Sequence, residues 1–281
     1  MSAKARITIL CENTIGARIG SGEHGFSAFI ETREGSFLFD TGSGRFIVEN
    51  AFAFGKDLRN IKRIFLSHAH YDHTGGLPEV LKIKGEIDVH AHPNLFLDRI
   101  ALPKEKSGER TLYMGIPYKR TYLELLGAKF KLDREFLEVE DGMFITGEVS
   151  RRTSFENLDP RYQIKLGEDY SIDAFEDDQS LILDTPKGLI IIFGCAHAGM
   201  INIIHHAMKK TGKEQISGLI GGTHLGFFEP DRLEASISAL KNLSIGFIGV
   251  SHCTGFGASV RLSQEFGDRF RTGYVGAVFE I

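Results

Sequence analysis

Residues 67–76 read SHAHYDHTGG, which puts three histidines and an aspartate into six consecutive positions directly behind the apolar run Ile64-Phe65-Leu66. Imidazole nitrogens and a carboxylate oxygen are ordinary ligands of a divalent metal ion. An apolar strand in front of the loop fixes where its first residue points. The alternate spacing of His68 and His70 lets both face one ion, while Asp72 and His73 can turn toward a second. Gly75 and Gly76 let the backbone bend closely around the site before the next helix begins. Four ligand-type side chains in six positions are hard to reconcile with a plain solvent-facing loop. The chain must therefore fold so that a strand end meets ligands from distant parts of the sequence.

The remaining pattern supplies such a fold. The segments RITILC, FSAFIE and SFLFDTG read as short strands separated by turns, and from Ile61 onward strands and helices alternate. RIFLS enters the histidine loop, GLPEVLKI is helical, IDVHAH is a strand, and PNLFLDRI begins a helix with Pro93 in its first turn. Further on, SLILDT, GLIIIFG, ISGLIGG, IGFIGVSH and GYVGAVFEI are strands, with helices from about Met200 to Lys210 and from Pro230 to about Lys241. Sheets covered by helices follow from this alternation. With 281 residues, 42% of them apolar, one large domain spanning 1–281 is expected.

Between about Arg110 and Asp173 the alternation breaks down, and the segment reads as an insertion at 110–173 within the domain. It mixes Tyr113 and Tyr118 with Arg110, Lys119, Arg120, Arg151 and Arg152. These are either ordinary solvated charges or a lid over the site, since long irregular segments in compact domains are often functional.

A net charge of −4 argues against a chain held mainly by nucleic-acid phosphate, so a small substrate is expected and no nucleic acid. MSAKARITIL carries no hydrophobic leader and no apolar run approaches about 18 residues, so the expectation is a cytoplasmic protein away from the membrane. The three cysteines are an odd number, and Cys195 in FGCAHAG and Cys253 in SHCTGFG each neighbour a histidine and glycines. That context fits site chemistry better than a disulfide framework. Nothing in the sequence sets the oligomeric state, and a homo-oligomer is allowed.

The order H-x-H-x-D-H after a strand resembles the signature of the metallo-β-lactamase superfamily, and the likeness runs the length of the chain. The resemblance implies a four-layer αββα sandwich with two divalent metal ions, zinc first, with manganese or iron as alternatives. LFDTG with Asp40 resembles the superfamily motif whose aspartate supports the histidine loop from behind, and SHCTG with His252 resembles its final ligand histidine. EHGFSAFIET, TPKGLIIIFGCAHAGMINII and GGTHL narrow the likeness to the branch that includes dihydropterin-diphosphate:aminobenzene-ribotide transferases, which release pyrophosphate.

The middle ligands stay open. By strand order Cys195 stands where the superfamily has its bridging aspartate, which would put the third ligand at Asp177 or Asp178. The alternative takes His197 as third ligand and His224 as a further ligand or acid/base group. The candidate set is thus His68, His70, Asp72, His73, Cys195, His197 and His252 for metal, with Asp72, His224 and Asp40 for catalysis. Lys119, Arg120 and His24 are candidates for substrate, and Lys119 and Arg120 with their tyrosines suit a flat, phosphorylated ligand.

Two ions about 3.5–4 Å apart activate water, clamp substrate oxygens and neutralise developing charge. A transferase acting on a pterin-like diphosphate and a hydrolase of a phosphoester, lactone or thioester both remain open. A di-iron redox centre is disfavoured because no flavin-binding domain fits the rest of the chain. A metal-stabilised binding module is disfavoured because His68, His70, Asp72, His73 and His252 form a complete set.

Overall fold

The computed structural model describes residues 5–16, 18–103, 110–227 and 229–281. Two seven-stranded sheets pack face to face. In the first, the strands lie in the order Val278–Glu280, Arg6–Cys11, Ser27–Thr32, Gly35–Phe39, Ile61–Phe65, Ile87–Ala91, Ala128–Leu132. In the second, the order is Phe270–Thr272, Ile245–Ser251, Ile216–Gly222, Gly188–Phe193, Leu181–Thr185, Met143–Ile145, Leu137–Glu140. Both sheets mix antiparallel hairpins with parallel pairs; Gly188–Phe193, Ile216–Gly222 and Ile245–Ser251 run parallel to one another. Parallel strands buried on both faces need continuous apolar runs, and Gly188–Phe193 is buried at every position.

Three apolar clusters make four layers. Ile7, Ile9, Phe37, Phe39, Phe65, Ile190, Ile192, Ile220 and Phe279 meet between the sheets. On the outer face of the first sheet, Leu38, Ile64, Leu66 and Val89 receive Ile47, Val80, Leu81 and Leu123 from the helices Ile47–Ala53, Leu77–Lys84 and Arg120–Leu125. On the second, Ile191, Phe193, Leu219 and Ile248 receive Ile201, Ile204, Ile237, Leu240 and Leu262 from Met200–Thr211, Pro230–Lys241 and Gly255–Phe266. The αββα sandwich expected from the sequence is the architecture observed. Among the described residues no helix is long and apolar enough to cross a membrane.

Two local expectations need correction. The helix expected from Pro93 is a single 3-10 turn, Pro93–Phe96, followed by the strand Arg99–Ala101. The Arg99 guanidinium bonds the carbonyls of Asn94 and Leu97, taking up acceptors that a continuing helix would use. The segment 110–173 is also less separate than its broken pattern suggests. Ala128–Leu132 pairs parallel with Ile87–Ala91, and Leu137–Glu140 and Met143–Ile145 complete the second sheet. Their half-exposed edge positions blur the apolar signal. What stands apart is a small sheet in which Arg99–Ala101 joins Leu112–Tyr113, Tyr162–Leu166 and Asp169–Ile172.

Because Ile192 is fully buried between the sheets, Ile192→Ala should cost about 2–5 kcal/mol, the usual range for such a truncation. Urea unfolding would show this as a lower midpoint at unchanged slope; a loss below about 1 kcal/mol would contradict tight packing of the two sheets.

Candidate metal centre

The strand Ile61–Phe65 delivers the histidine loop to one edge of the sandwich, and a short helical turn, Tyr71–Thr74, carries Asp72 and His73. Asp40, at the end of Gly35–Phe39, is fully buried and shapes that loop. Its Oδ1 accepts from the Ser67 N–H at 2.7 Å, and its Oδ2 accepts from Ser67 Oγ and His73 Nδ1, each at 2.7 Å. With its proton given to Asp40, Ser67 Oγ accepts from His68 Nδ1 at 2.8 Å. Both tautomers are thereby assigned from the network: His68 and His73 turn their Nε2 lone pairs inward.

Opposing loops bring the remaining groups. The turn after Gly188–Phe193 carries Cys195 and His197, that after Ile216–Gly222 carries His224, and that after Ile245–Ser251 carries His252. Gly194 allows the close approach: a Cβ there would lie 2.1 Å from Ser67 Oγ. His73 Nε2 stands 3.2 Å from both Cys195 Sγ and His252 Nε2. Asp72 Oδ2 is 3.2 Å from His252 Nε2 and 3.2 Å from His24 Nε2.

Ligand atoms converge to within 4.8 Å of one another in several groups, among them His68–His70–His197, His68–His73–Cys195, Cys195–His197–His224 and His24–Asp72–His252. Cys195 recurs on both sides, so it lies between the two ends of the centre. The buried Nε2 atoms of His68 and His197 and Oδ1 of Asp72 have no hydrogen-bond partner. Buried polar atoms are normally satisfied, and orphaned ones on residues of these converging groups fit a metal ion. Residues of this kind suit zinc, iron or manganese.

Electrostatics agree with that donor set. Burial drives His68 and His197 well below the ordinary imidazole value, His70 and His224 down to about 3, and His252 down to about 4. All five are neutral at neutral pH, the form that binds metals. His73 differs: burial opposes its charge, but Asp40 and Asp72 outweigh this and raise it. For Asp72, burial opposes ionisation, yet His73, His24 and His252 hold it well below the usual carboxylate range.

Asp177 and Asp178 are placed as clamps. Asp177 Oδ2 accepts from Ala69 N–H at 2.9 Å, and Asp178 Oδ2 from Ala198 N–H at 2.8 Å. Among the described residues neither joins any converging group, whereas His197 joins two. Arg99, buried, reaches Asp173 at 2.7 Å and Asp177 at 2.9 Å, tying the small sheet to the histidine loop. Phe175 lies flat on His197 at 4.0 Å between ring centroids, and the Arg151 guanidinium donates to the His197 carbonyl at 2.6 Å.

Sequence reasoning missed this supporting ring. Asn13 accepts from His252 Nδ1 at 2.9 Å and faces His24 at 3.3 Å, while Glu12 accepts from the His252 N–H. Tyr162 stands 5.6–5.9 Å, ring to ring, from His70, Phe175, His197 and His224. Only Ser67, inside the motif, carried a local signal. The Arg120 guanidinium is paired with Glu124 at 2.7 Å, and Lys119 precedes the helix Arg120–Leu125. No hydrogen bond, ion pair or ring contact joins either to the histidine cluster among the described residues.

Five non-glycine residues among those described have left-handed backbone: Asp40, Phe175, Ala196, His224 and His252. Each belongs to the cluster or touches it. Such conformations cost about 1–3 kcal/mol each and collect at functional sites.

The clamp makes a definite prediction. Asp177→Ala removes one of the two carboxylates on buried Arg99 and the acceptor of the Ala69 N–H, and should cost about 1–3 kcal/mol, with a smaller loss for Asp177→Asn. Chemical unfolding of both variants checks the order; equal, negligible losses would remove the clamp.

The family profile described as "Metallo-beta-lactamase superfamily" matches residues 20–200. The 7,8-dihydropterin-6-methyl-4-(beta-D-ribofuranosyl)-aminobenzene-5'-phosphate synthase of Methanocaldococcus jannaschii is 32% identical over 268 residues, 92% of this chain and 90% of that protein. The uncharacterized protein MJ0448 of the same organism is also 32% identical, over 98% of this chain and all of its own length. The crystal structure of Tm1679, described as a metal-dependent hydrolase of the beta-lactamase superfamily, aligns over 99% of each chain with a TM-score of 0.83 and 28% identity. The fold, the family profile and these relatives agree: the chain belongs to the metallo-beta-lactamase superfamily and is by that membership a metal-dependent enzyme.

Proposed function

We propose that the chain is a transferase whose site holds two divalent ions, zinc in the first instance, and joins a diphosphorylated dihydropterin-like ring to an aminobenzene ribotide with release of pyrophosphate. The observation that carries this reading is the set of aromatic rings beside the ligand cluster. Tyr162 faces His70, His197 and His224, and half-exposed Phe227 lies 4.8 Å from the His224 ring. Rings stack best on flat, apolar-faced partners, so these groups suit a planar heterocycle or an aryl ring. The full-length relationship to the Methanocaldococcus synthase supports the same choice.

In this reading His68, His70 and His197 would hold one ion, and Asp72, His73 and His252 the other, with Cys195 between. The ions would supply the clamp on diphosphate oxygens and the neutralisation of leaving-group charge. Asp40 and Ser67 keep the imidazoles of His68 and His73 in register, and Tyr162 orients the ring. As the bond forms between the amine nitrogen of the aminobenzene and the pterin methylene carbon and the carbon–oxygen bond to diphosphate breaks, neutral His224 is the group assigned to take the proton lost from that nitrogen. His24, half-exposed beside Asp72, would lie at the solvent side of the site.

A hydrolase of a phosphoester, lactone or thioester is the second reading. It is favoured by the exposed His24 ring beside buried Asp72, which opens that end of the cluster to water, and by the likeness to Tm1679.

The test is incubation of the metal-loaded protein with the dihydropterin diphosphate and the aminobenzene ribotide, separately and together. The transferase reading expects pyrophosphate only from the pair; release from one compound alone, or turnover of a simple ester, assigns the hydrolase. Tyr162→Ala should raise KM for the ring substrate roughly 2- to 10-fold at unchanged metal content, matching a stacking contribution of about 0.5–1.5 kcal/mol. The double variant His68→Ala, Asp72→Ala should lose bound metal and all turnover while keeping its far-ultraviolet circular dichroism. Undiminished metal there would refute the site.

A further inference from the structure

Cys253 follows His252 and is buried, yet neither the superfamily motifs read above nor the proposed mechanism gives it a task. Its sulfur lies in a group with Cys195 Sγ and a His252 ring nitrogen whose atoms are all within 4.8 Å of one another. Three further features fix its place. The His224 N–H donates to Cys253 Sγ at 3.2 Å, the sulfur lies 3.7 Å from the Cys195 carbonyl oxygen, and Gly222 leaves the room it occupies. A Cβ on residue 222 would stand 2.6 Å from that sulfur. Neither cysteine forms a disulfide.

We propose that Cys253 and Cys195 act together as a thiolate pair on the ion at the His252 end of the centre, so that this position is sulfur-rich. This rests on the metal-enzyme reading above and adds a ligand to it. Two sulfurs beside one imidazole match zinc or iron(II) and disfavour manganese or magnesium, which prefer oxygen donors. Each thiol releases one proton to solvent as the divalent ion binds, and no electron moves. The backbone N–H of His224 would then donate to a metal-bound sulfur, the kind of outer contact that stabilises a ligating thiolate.

X-ray absorption at the zinc edge of the wild-type, zinc-loaded full chain tests this without any variant: sulfur should appear at about 2.3 Å. Cobalt(II) exchanged into the same protein should give a sulfur-to-cobalt charge-transfer band in the near ultraviolet. Cys195→Ser and Cys253→Ser should each lose about half of it and the double variant all of it. Cys11→Ser, whose buried thiol packs against Gly42 away from the cluster, should leave the spectrum unchanged. Circular dichroism confirms that each variant is folded. Cobalt bound with only its ligand-field bands, or a Cys253→Ser variant that keeps the full charge-transfer band, overturns the thiolate pair while the metal-enzyme reading stands. A wild-type chain that takes up neither zinc nor cobalt overturns both.

Discussion

The carboxylate of Asp40 holds the histidine loop in the shape on which the rest of the centre depends. Its two oxygens take three hydrogens, from the Ser67 backbone, the Ser67 hydroxyl and the His73 ring. Because Ser67 in turn receives His68 Nδ1, one side chain sets the tautomer of two imidazoles at opposite ends of the loop. Charge-assisted hydrogen bonds in a dry interior are strong and directional, which suits a task that needs fixed angles. Asp40 itself sits in left-handed backbone, so that arrangement is held against a local preference.

Packing decides the chemistry of the remaining groups. The sandwich buries nearly every imidazole of the cluster, and desolvation keeps those of His68, His70, His197, His224 and His252 neutral. The αββα layers therefore set the protonation state of these histidines as well as their positions. Asp72 resists the same desolvation because cation-capable rings surround it.

What the sequence disclosed follows the range of the interactions involved. Layers, strand alternation and the H-x-H-x-D-H loop were legible because each is written in neighbouring residues. The choice between Asp177, Asp178 and His197 was not, since it depends on the Asp177 bond to Ala69 and the Asp178 bond to Ala198, contacts across the fold that leave no spacing in the chain. Tyr162 and Arg99 were hidden for the same reason, as both belong to the small sheet formed by strands far apart in sequence. The strand Ala128–Leu132 was missed on weaker local grounds: exposed Lys129 and Lys131 alternate with only half-buried Phe130 and Leu132, a short edge pattern with little apolar signal.

The small sheet has a mechanical consequence. Arg99 starts one of its strands, Tyr162 starts another paired directly with it, and the same guanidinium grips Asp177, whose other oxygen holds the backbone at Ala69 between His68 and His70. The strand that carries Tyr162 and the loop that orients the histidines are thus fastened through one side chain. Retargeting such a centre by grafting a foreign wall would loosen the loop as well, unless the graft brings its own cation to the same pair of carboxylates.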